Sequence, residues 1–328
     1  MESTEKKVLV TFKVFPEDKE VIEKTLKGLA EVSYASNEEA ILREISDAEV
    51  VICGWISDKA LLKAEKLRLI QTVTAGVERF NFKILREKNV ILASGKGCNS
   101  VPVAEHAMAL ILNLAKRINE YDRALKRGKW LPYTSETMLD DLEGKVLVIL
   151  GYGNIGRELA RIAKVFGMRI IGIKRTPKLN GDEYADVIVG FDNIDKVIPE
   201  ADFLVVLAPL TKETLGLINE RRLKMMKRTA YLINVARGPV IDEAALYRAL
   251  KEGWIRGAGL DVWWAYPPDP ATPSKLGIHK LKNVIATPHK AGWTMKARLS
   301  CVRFAVSNVR RFLLGEKPLN IVDYDRGY

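Results

Sequence analysis

The chain is poor in the residues that build covalent or metal-held frameworks. Among 328 residues there are three cysteines, Cys53, Cys98 and Cys301, and three histidines, His106, His279 and His289. The cysteines stand far apart with no paired spacing, which argues against a disulfide framework and against a zinc site; buried thiols and no metal are expected. No apolar run approaches the roughly 18 to 20 residues needed to cross a bilayer, which excludes a helical membrane span. The charged start, Met1 to Lys7, leads only into an apolar stretch of strand length, so the chain reads as cytoplasmic with no membrane partner. Long runs of one charge are missing too. The 52 Lys and Arg are interspersed with 41 Asp and Glu, so the formal charge of +11 is spread rather than blocked, which argues against nucleic acid as a partner. A field of that sign instead attracts small anionic substrates and phosphorylated cofactors. Gln71 is the single glutamine, and with many Lys, Arg and Glu this resembles a heat-adapted composition.

What is present is an ordinary globular composition, 48% hydrophobic and 28% charged, over a length that suits two domains better than one. Short apolar runs alternate with helical patterns: Val8 to Phe15 then Lys19 to Ala30, Val50 to Trp55 then Asp58 to Lys66. This alternation predicts a parallel sheet with helices on its faces. Leu67 to Val73 and Val90 to Ser94 continue the strands, and Val103 to Arg123 reads as one long helix, apolar on nearly every side and so buried between two bodies. The strand count restarts at Val146 to Leu150 and goes on through Arg169 to Ile173, Phe203 to Leu207, Ala230 to Val235, Gly257 to Val262 and Val284 to Thr287. That is a complete doubly wound unit. A last helix, about Thr294 to Leu314, is too long for that unit alone and is expected to return to the first domain. The expected division is 1–116 with 296–328, and 117–295 inserted between them, with the active site in the cleft.

Gly151-Tyr-Gly-Asn-Ile-Gly156 matches Gly-x-Gly-x-x-Gly, following a predicted strand and opening a predicted helix. Glycines there let the backbone turn tightly, approach a pyrophosphate and pack helix on strand, while the helix N-terminus offers amide donors. A dinucleotide on Gly151, Gly153, Asn154, Ile155 and Gly156 is expected. An acid ending the next strand would bind the ribose 2′-hydroxyl of NAD, yet Gly172-Ile-Lys-Arg-Thr-Pro177 contains none. Lys174 and Arg175 suit a 2′-phosphate, with Thr176 as a further donor, so NADP is preferred and NAD is the second choice.

Three further motifs fall at predicted strand C-termini, the edge where open α/β sheets bind ligands: Ile233-Asn-Val-Ala-Arg-Gly-Pro239, Gly257-Ala-Gly-Leu-Asp-Val262 and Thr287-Pro-His-Lys-Ala-Gly292. Their order, with Leu207-Ala-Pro-Leu-Thr211, resembles the D-2-hydroxyacid dehydrogenases over nearly the whole chain. The resemblance implies a Rossmann-type doubly wound parallel-sheet domain inserted into a flavodoxin-like α/β substrate-binding domain, an oxidoreductase acting between NADP(H) and a small 2-oxo or 2-hydroxy acid such as glyoxylate or hydroxypyruvate, and a homodimer. It also implies that Arg237 holds the carboxylate and carbonyl, that His289 exchanges the proton, that Asp261 orients the nicotinamide end, and that the amides of Ala75, Gly76 and Val77 hold the carboxylate. Further cofactor contacts would come from Val103, Ala208, Pro209, Val235, Ala236, His289 and Gly292. The chemistry agrees, since a planar carboxylate suits a bidentate arginine and proton exchange near neutral pH suits a histidine. His106 sits in the long helix pattern, where a structural hydrogen bond is expected, and His279 in a Lys-rich loop near the surface.

One position departs from the family. Most members carry a glutamate five residues beyond the strand-end aspartate, just before a proline, where it pairs with the catalytic histidine; here Asp261-Val-Trp-Trp-Ala-Tyr-Pro267 puts Tyr266 there. A glutamate would stabilise the imidazolium, whereas a phenol orients the ring without compensating charge. Three readings stay open: an Arg and His pair oriented by Tyr266; formate oxidation, which needs no acid or base, with Asn99 in Cys98-Asn-Ser-Val-Pro-Val-Ala-Glu-His106 matching a formate-binding asparagine or merely capping the helix; and a non-catalytic cofactor-sensing protein on the same fold. Trp263, Trp264 and Trp293 are read as packing, and Lys290 adds a cation beside His289.

Overall fold

A computed structural model describes residues 6–177, 182–266 and 272–328. Pro267 and the charged first residues, Met1 to Glu5, lie outside the described residues. The chain forms two compact units, 1–99 with 293–328, and 100–292.

The first unit alternates β1 (Lys7–Val10), α1 (Pro16–Leu26), β2 (Glu31–Tyr34), α2 (Glu38–Glu44), β3 (Val50–Cys53), α3 (Asp58–Lys63), β4 (Leu69–Thr72), α4 (Phe82–Glu87) and β5 (Ile91–Ala93). All strand pairs are parallel, in the order β2-β1-β3-β4-β5, the flavodoxin-like winding that the resemblance implied. Its helices start where side chains can accept orphan amides: Asn37, Ser57 and Asn81 each take a hydrogen bond from the amide three residues on.

The second unit runs α5 (Ser100–Ala115), α6 (Ile118–Lys126), β6 (Val146–Leu150), α7 (Asn154–Val165), β7 (Arg169–Ile173), β8 (Val187–Val189), α8 (Ile194–Val197), β9 (Phe203–Val206), α9 (Glu220–Met225), β10 (Tyr231–Asn234), α10 (Glu243–Glu252), β11 (Gly257–Leu260) and β12 (Val284–Ala286). The last helix, α11 (Met295–Leu313), belongs to the first unit, where Val302, Ala305, Val306 and Val309 join the core that α1 shares. The seven-stranded sheet is parallel throughout, in the order β12-β11-β10-β9-β6-β7-β8. Helices cover both faces, so β9 and β10 are buried along their whole length and read as near-continuous apolar runs.

The structure departs from three sequence expectations. The helix expected at Val103 to Arg123 breaks at Arg117, whose φ of +49° is left-handed, and becomes α5 and α6; Asn113 Oδ1 accepts the Asn119 amide across the break at 2.9 Å. The unit boundaries fall at 99/100 and 292/293 rather than at 116/117 and 295/296, because α5 packs within the second unit, against α7 and over β11. Gly259 permits that approach, since a Cβ there would stand 3.1 Å from Leu110 Cβ. Finally, Cys98 and Cys301 form a disulfide with Cα atoms 4.9 Å apart. Their sequence separation of 203 hid the pairing, because the chain leaves the first unit just after Cys98 and re-enters it before Cys301. Cys53 is the buried thiol expected, and burial pushes its pKa up.

Candidate active site

The strand order reverses between β6 and β9, and the glycine-rich turn lies there. Gly151 has a φ of +104°, and a Cβ on it would stand 2.5 Å from the Ala208 nitrogen. The turn after β6 therefore touches the turn after β9, and only glycine fits. Gly156 lets α7 approach β6, its hypothetical Cβ meeting Ile149 Cγ2 at 3.1 Å. Gly153 differs, because it has extended backbone ahead of α7 and its Cβ would meet nothing within 4 Å. Asn154 and Ile155, with Gly156, form the first turn of α7, whose amides have no partners earlier in the helix. Tyr152 lies with its ring against Gly172 and donates its hydroxyl to Asp182 at 2.9 Å; burial and that hydrogen bond push the phenol well above its ordinary range. Ala208 is fully buried, and the turn carrying Pro209 is braced by the Thr214 hydroxyl, which donates to the Pro209 carbonyl at 2.6 Å.

Lys174, Arg175 and Thr176 follow β7, as expected. The Arg175 guanidinium forms an ion pair and hydrogen bond with Glu213, an acid that lies on the turn after β9 and was not visible as a neighbour in the sequence.

At the C-terminal ends of β10, β11 and β12 the second unit assembles Arg237, Asp261, Tyr266 and His289. Val235 is buried and Ala236 half-buried just ahead of Arg237. Arg237 donates from Nη1 to the Ala236 carbonyl at 2.7 Å, and its own carbonyl accepts from Asn234 Nδ2 at 2.9 Å. Gly238 has no room for a side chain, because a Cβ would come 2.3 Å from the Trp263 carbonyl carbon, so the Arg-Gly step abuts the segment that leads to Tyr266. Tyr266 lies with its ring centroid 5.3 Å from that of His289, tilted by 47°, and its hydroxyl accepts from the Trp263 amide at 3.3 Å.

His289 has a left-handed φ of +56°, a conformation that a non-glycine residue adopts only where its surroundings impose it. Asp261, fully buried, grips the chain on both sides of His289. Its main-chain carbonyl accepts the His289 amide at 2.8 Å. Its carboxylate accepts Thr287 Oγ1 at 2.6 Å, the Lys290 amide at 2.8 Å and the Ala291 amide at 2.9 Å. The resemblance implied that Asp261 orients the nicotinamide end of the cofactor; within the protein its carboxylate accepts from the loop 287–291. His106 Nε2 lies 3.0 Å from Thr287 Oγ1, the structural hydrogen bond expected of it. His279 is half-buried, edge-on to Trp263 at 6.0 Å between ring centroids. Trp263 and Trp264 serve packing, as expected, and donate their indole N–H groups to the carbonyls of Thr287 and Ile241.

Residues 108–291 match the family model described as the NAD-binding domain of D-isomer specific 2-hydroxyacid dehydrogenases. The chain belongs to the D-isomer specific 2-hydroxyacid dehydrogenase family. It is 35% identical to the glyoxylate reductase of Pyrococcus horikoshii over 92% of each chain. It is 34% identical to the D-3-phosphoglycerate dehydrogenase of Methanocaldococcus jannaschii over 97% of its own length, spanning 59% of that relative. A family enzyme from Xanthobacter autotrophicus, solved with NADPH and MES, superposes with a TM-score of 0.82 at 27% identity, over 99% of this chain and 100% of that one.

As a member of this family, the chain is an NAD(P)-dependent dehydrogenase, and its glycine turn fits a dinucleotide. Gly151 and Gly156 are required by the protein's own packing, whereas Gly153 keeps open a space that a side chain would fill, beside the N-terminus of α7. The described residues contain no group of three His, Cys, Asp or Glu able to hold a metal ion, and no described helix is long and apolar enough to cross a membrane.

In the first unit, the turn Ala75-Gly76-Val77 follows β4 and is anchored by the Gly95 amide, which donates to the Thr74 carbonyl at 2.8 Å. Ala75 is exposed, Gly76 half-buried and Val77 buried. Asn99 is half-buried and immediately precedes α5, where Val103 is a core residue, and Gly292 closes the histidine loop. Sequence reasoning missed Thr287 and Glu213. Thr287 stood in the Thr-Pro-His motif, where a hydroxyl beside a strand-end aspartate was the available signal.

Proposed function

We propose that this enzyme reduces a small 2-oxo acid of the glyoxylate or hydroxypyruvate type with NADPH as the preferred cofactor. The observation that carries the reading is the loop 287–291, held by buried Asp261 so that His289 follows β12 at the same C-terminal sheet edge as Arg237 after β10, with β11 between them, in the same unit as the open glycine turn. Arg237 would hold the substrate carboxylate in a bidentate pair, and the backbone amides of Ala75, Gly76 and Val77 are proposed as further carboxylate donors. Bound on Gly151, Gly153 and α7, with Val103, Ala208, Pro209, Val235, Ala236 and Gly292 as further contacts, the nicotinamide cofactor would supply a hydride to the carbonyl carbon. His289 gives its proton to the carbonyl oxygen, so that the product is a 2-hydroxy acid and the imidazole is left neutral. Tyr266 holds the imidazole by ring contact, in place of the family's glutamate.

The preference for NADPH rests on Lys174, Arg175 and Thr176 and on the missing acid in that segment. Arg175 is paired with Glu213, so binding a 2′-phosphate exchanges or shares that partner. The chain is further proposed to work as a homodimer. Helix α6 has an amphipathic pattern yet buries no residue, and Ile118, Leu125, Trp130, Tyr133, Met138 and Leu139 are exposed around it, an apolar surface of the kind that interfaces cover.

The test is an initial-rate assay of purified protein with NADPH and NADH against glyoxylate and hydroxypyruvate, with formate plus NADP or NAD as the opposing arm. Turnover of a 2-oxo acid, fastest with NADPH, supports the proposal. Turnover of formate alone reassigns it to formate oxidation, and cofactor binding without turnover on any of these acids reassigns it to a cofactor-sensing protein.

A further inference from the structure

The loop that carries His289 has a second histidine behind it. His106 stands on α5, and its Nε2 lies 3.0 Å from Thr287 Oγ1 and 3.6 Å from Asp261 Oδ1. The protons can be assigned by counting. A carboxylate only accepts, so the Lys290 and Ala291 amides and the Thr287 hydroxyl all donate to Asp261. Thr287 has a single hydroxyl hydrogen, which is used toward Asp261 at 2.6 Å; its oxygen can then only accept from His106. The Nε2 of His106 must therefore carry a hydrogen, and a chain of donors runs from α5 through Thr287 to the buried carboxylate.

That chain bears on chemistry because of what Asp261 does with its remaining atoms. The same residue accepts the His289 amide through its main-chain carbonyl, and its carboxylate gathers the Lys290 and Ala291 amides on the other side, so one buried residue grips the chain on both sides of the left-handed His289. A carboxylate with no solvent around it is held by its donors alone, and each donor lost leaves it, and the loop it grips, with another arrangement to adopt. His106 is the one member of this chain contributed by a helix rather than by the strand ends or the loop itself, so it ties the loop to α5, the helix packed across β10 and β11.

We propose that His106 is a positioning residue for the proton-exchanging histidine, acting through Thr287 and Asp261 as a neutral or charged N–H donor rather than as an acid or base toward substrate. This rests on the reading of His289 as the proton donor.

The experiment compares wild type with His106→Leu, which removes the donor at similar volume, and His106→Gln, whose side-chain amide presents an N–H near the Nε2 position. The readouts are kcat and KM for 2-oxo acid reduction and hydrogen–deuterium exchange of the 287–291 amides in the protein without substrate. The expected result is a kcat about tenfold or more lower in the leucine variant, with both KM values within about twofold, faster exchange of the Lys290 and Ala291 amides, and recovery of kcat and exchange protection in the glutamine variant. A leucine variant with wild-type kcat and exchange overturns the proposal, as does a glutamine variant that recovers neither. If the leucine variant does not fold, Thr287→Val, which replaces the relaying hydroxyl by a methyl, carries the same expectations, and Thr287→Ser should restore them. His289→Asn separates the two ideas: retained turnover there defeats the proton-donor reading, while the exchange comparison at His106 still decides whether the donor chain holds the loop.

Discussion

Two glycines in one turn make opposite predictions when each is given a methyl group. At Gly151 an alanine meets two obstacles: a φ of +104°, and backbone atoms of Leu207 and Ala208 within 2.6 Å of its Cβ. The backbone conformation costs about 1–2 kcal/mol for an L-residue, and overpacking against atoms that cannot rotate away costs about 1–3 kcal/mol more. For a unit of this size each kcal/mol lowers Tm by about 2–4 °C, so Gly151→Ala should melt about 10 °C early. At Gly153 the backbone is extended and the added methyl touches nothing within 4 Å, so Gly153→Ala should melt within about 2 °C of wild type. The methyl would instead occupy space assigned to the pyrophosphate, and the Kd for NADPH should rise at least about tenfold, or about 1.4 kcal/mol. Differential scanning fluorimetry and NADPH fluorescence titration read the two effects separately. A Gly153→Ala variant that binds NADPH as wild type does would refute the assignment of the turn to the cofactor, and an unshifted Tm for Gly151→Ala would refute the packing argument.

The remaining predictions concern charge and covalent structure. Tyr266→Glu places a carboxylate beside His289; it favours the imidazolium, so the proton is retained to higher pH and the descending limb of the reductive pH profile should move upward, whereas an unchanged profile counts against an orienting role for Tyr266. The double variant Lys174→Ala with Arg175→Ala should raise KM for NADPH at least about tenfold while leaving KM for NADH within about twofold, and equal effects on both cofactors would remove the basis for NADPH preference. Cys301→Ser opens a loop closed over a sequence separation of 203; chain entropy puts the loss at about 5 kcal/mol as an upper figure, visible as a lower Tm that reductant no longer changes. Thiol titration of the denatured, unreduced wild type should find one free cysteine, Cys53, and three free thiols would show the bridge does not form.

Much of this protein was legible residue by residue, wherever a short stretch carries its own physical reason. The turn Gly151 to Gly156, the apolar runs of β6, β9 and β10, and the arginine and histidine at strand ends could be read locally, because a tight turn, a strand buried on both faces and a functional edge each impose a pattern within a few residues. The parallel two-sheet architecture followed from the βα alternation for the same reason. What escaped was set by residues distant in the chain. The break at Arg117 depends on Asn113 and on what α5 packs against, since helical periodicity continues straight through it. The bridge between Cys98 and Cys301 exists because the chain leaves the first unit and returns beside its own exit. Glu213 neighbours Arg175 only because β9 and β6 are adjacent where the strand order reverses. Asp261 could be read as a site residue, but its grip on both sides of His289, and the donor behind it on α5, arise only when β11, β12 and α5 are packed together. Sequence by itself determined the fold class and the family's chemical groups; the tertiary structure decided which of those groups hold others in place, because hydrogen-bond partners are allotted in space.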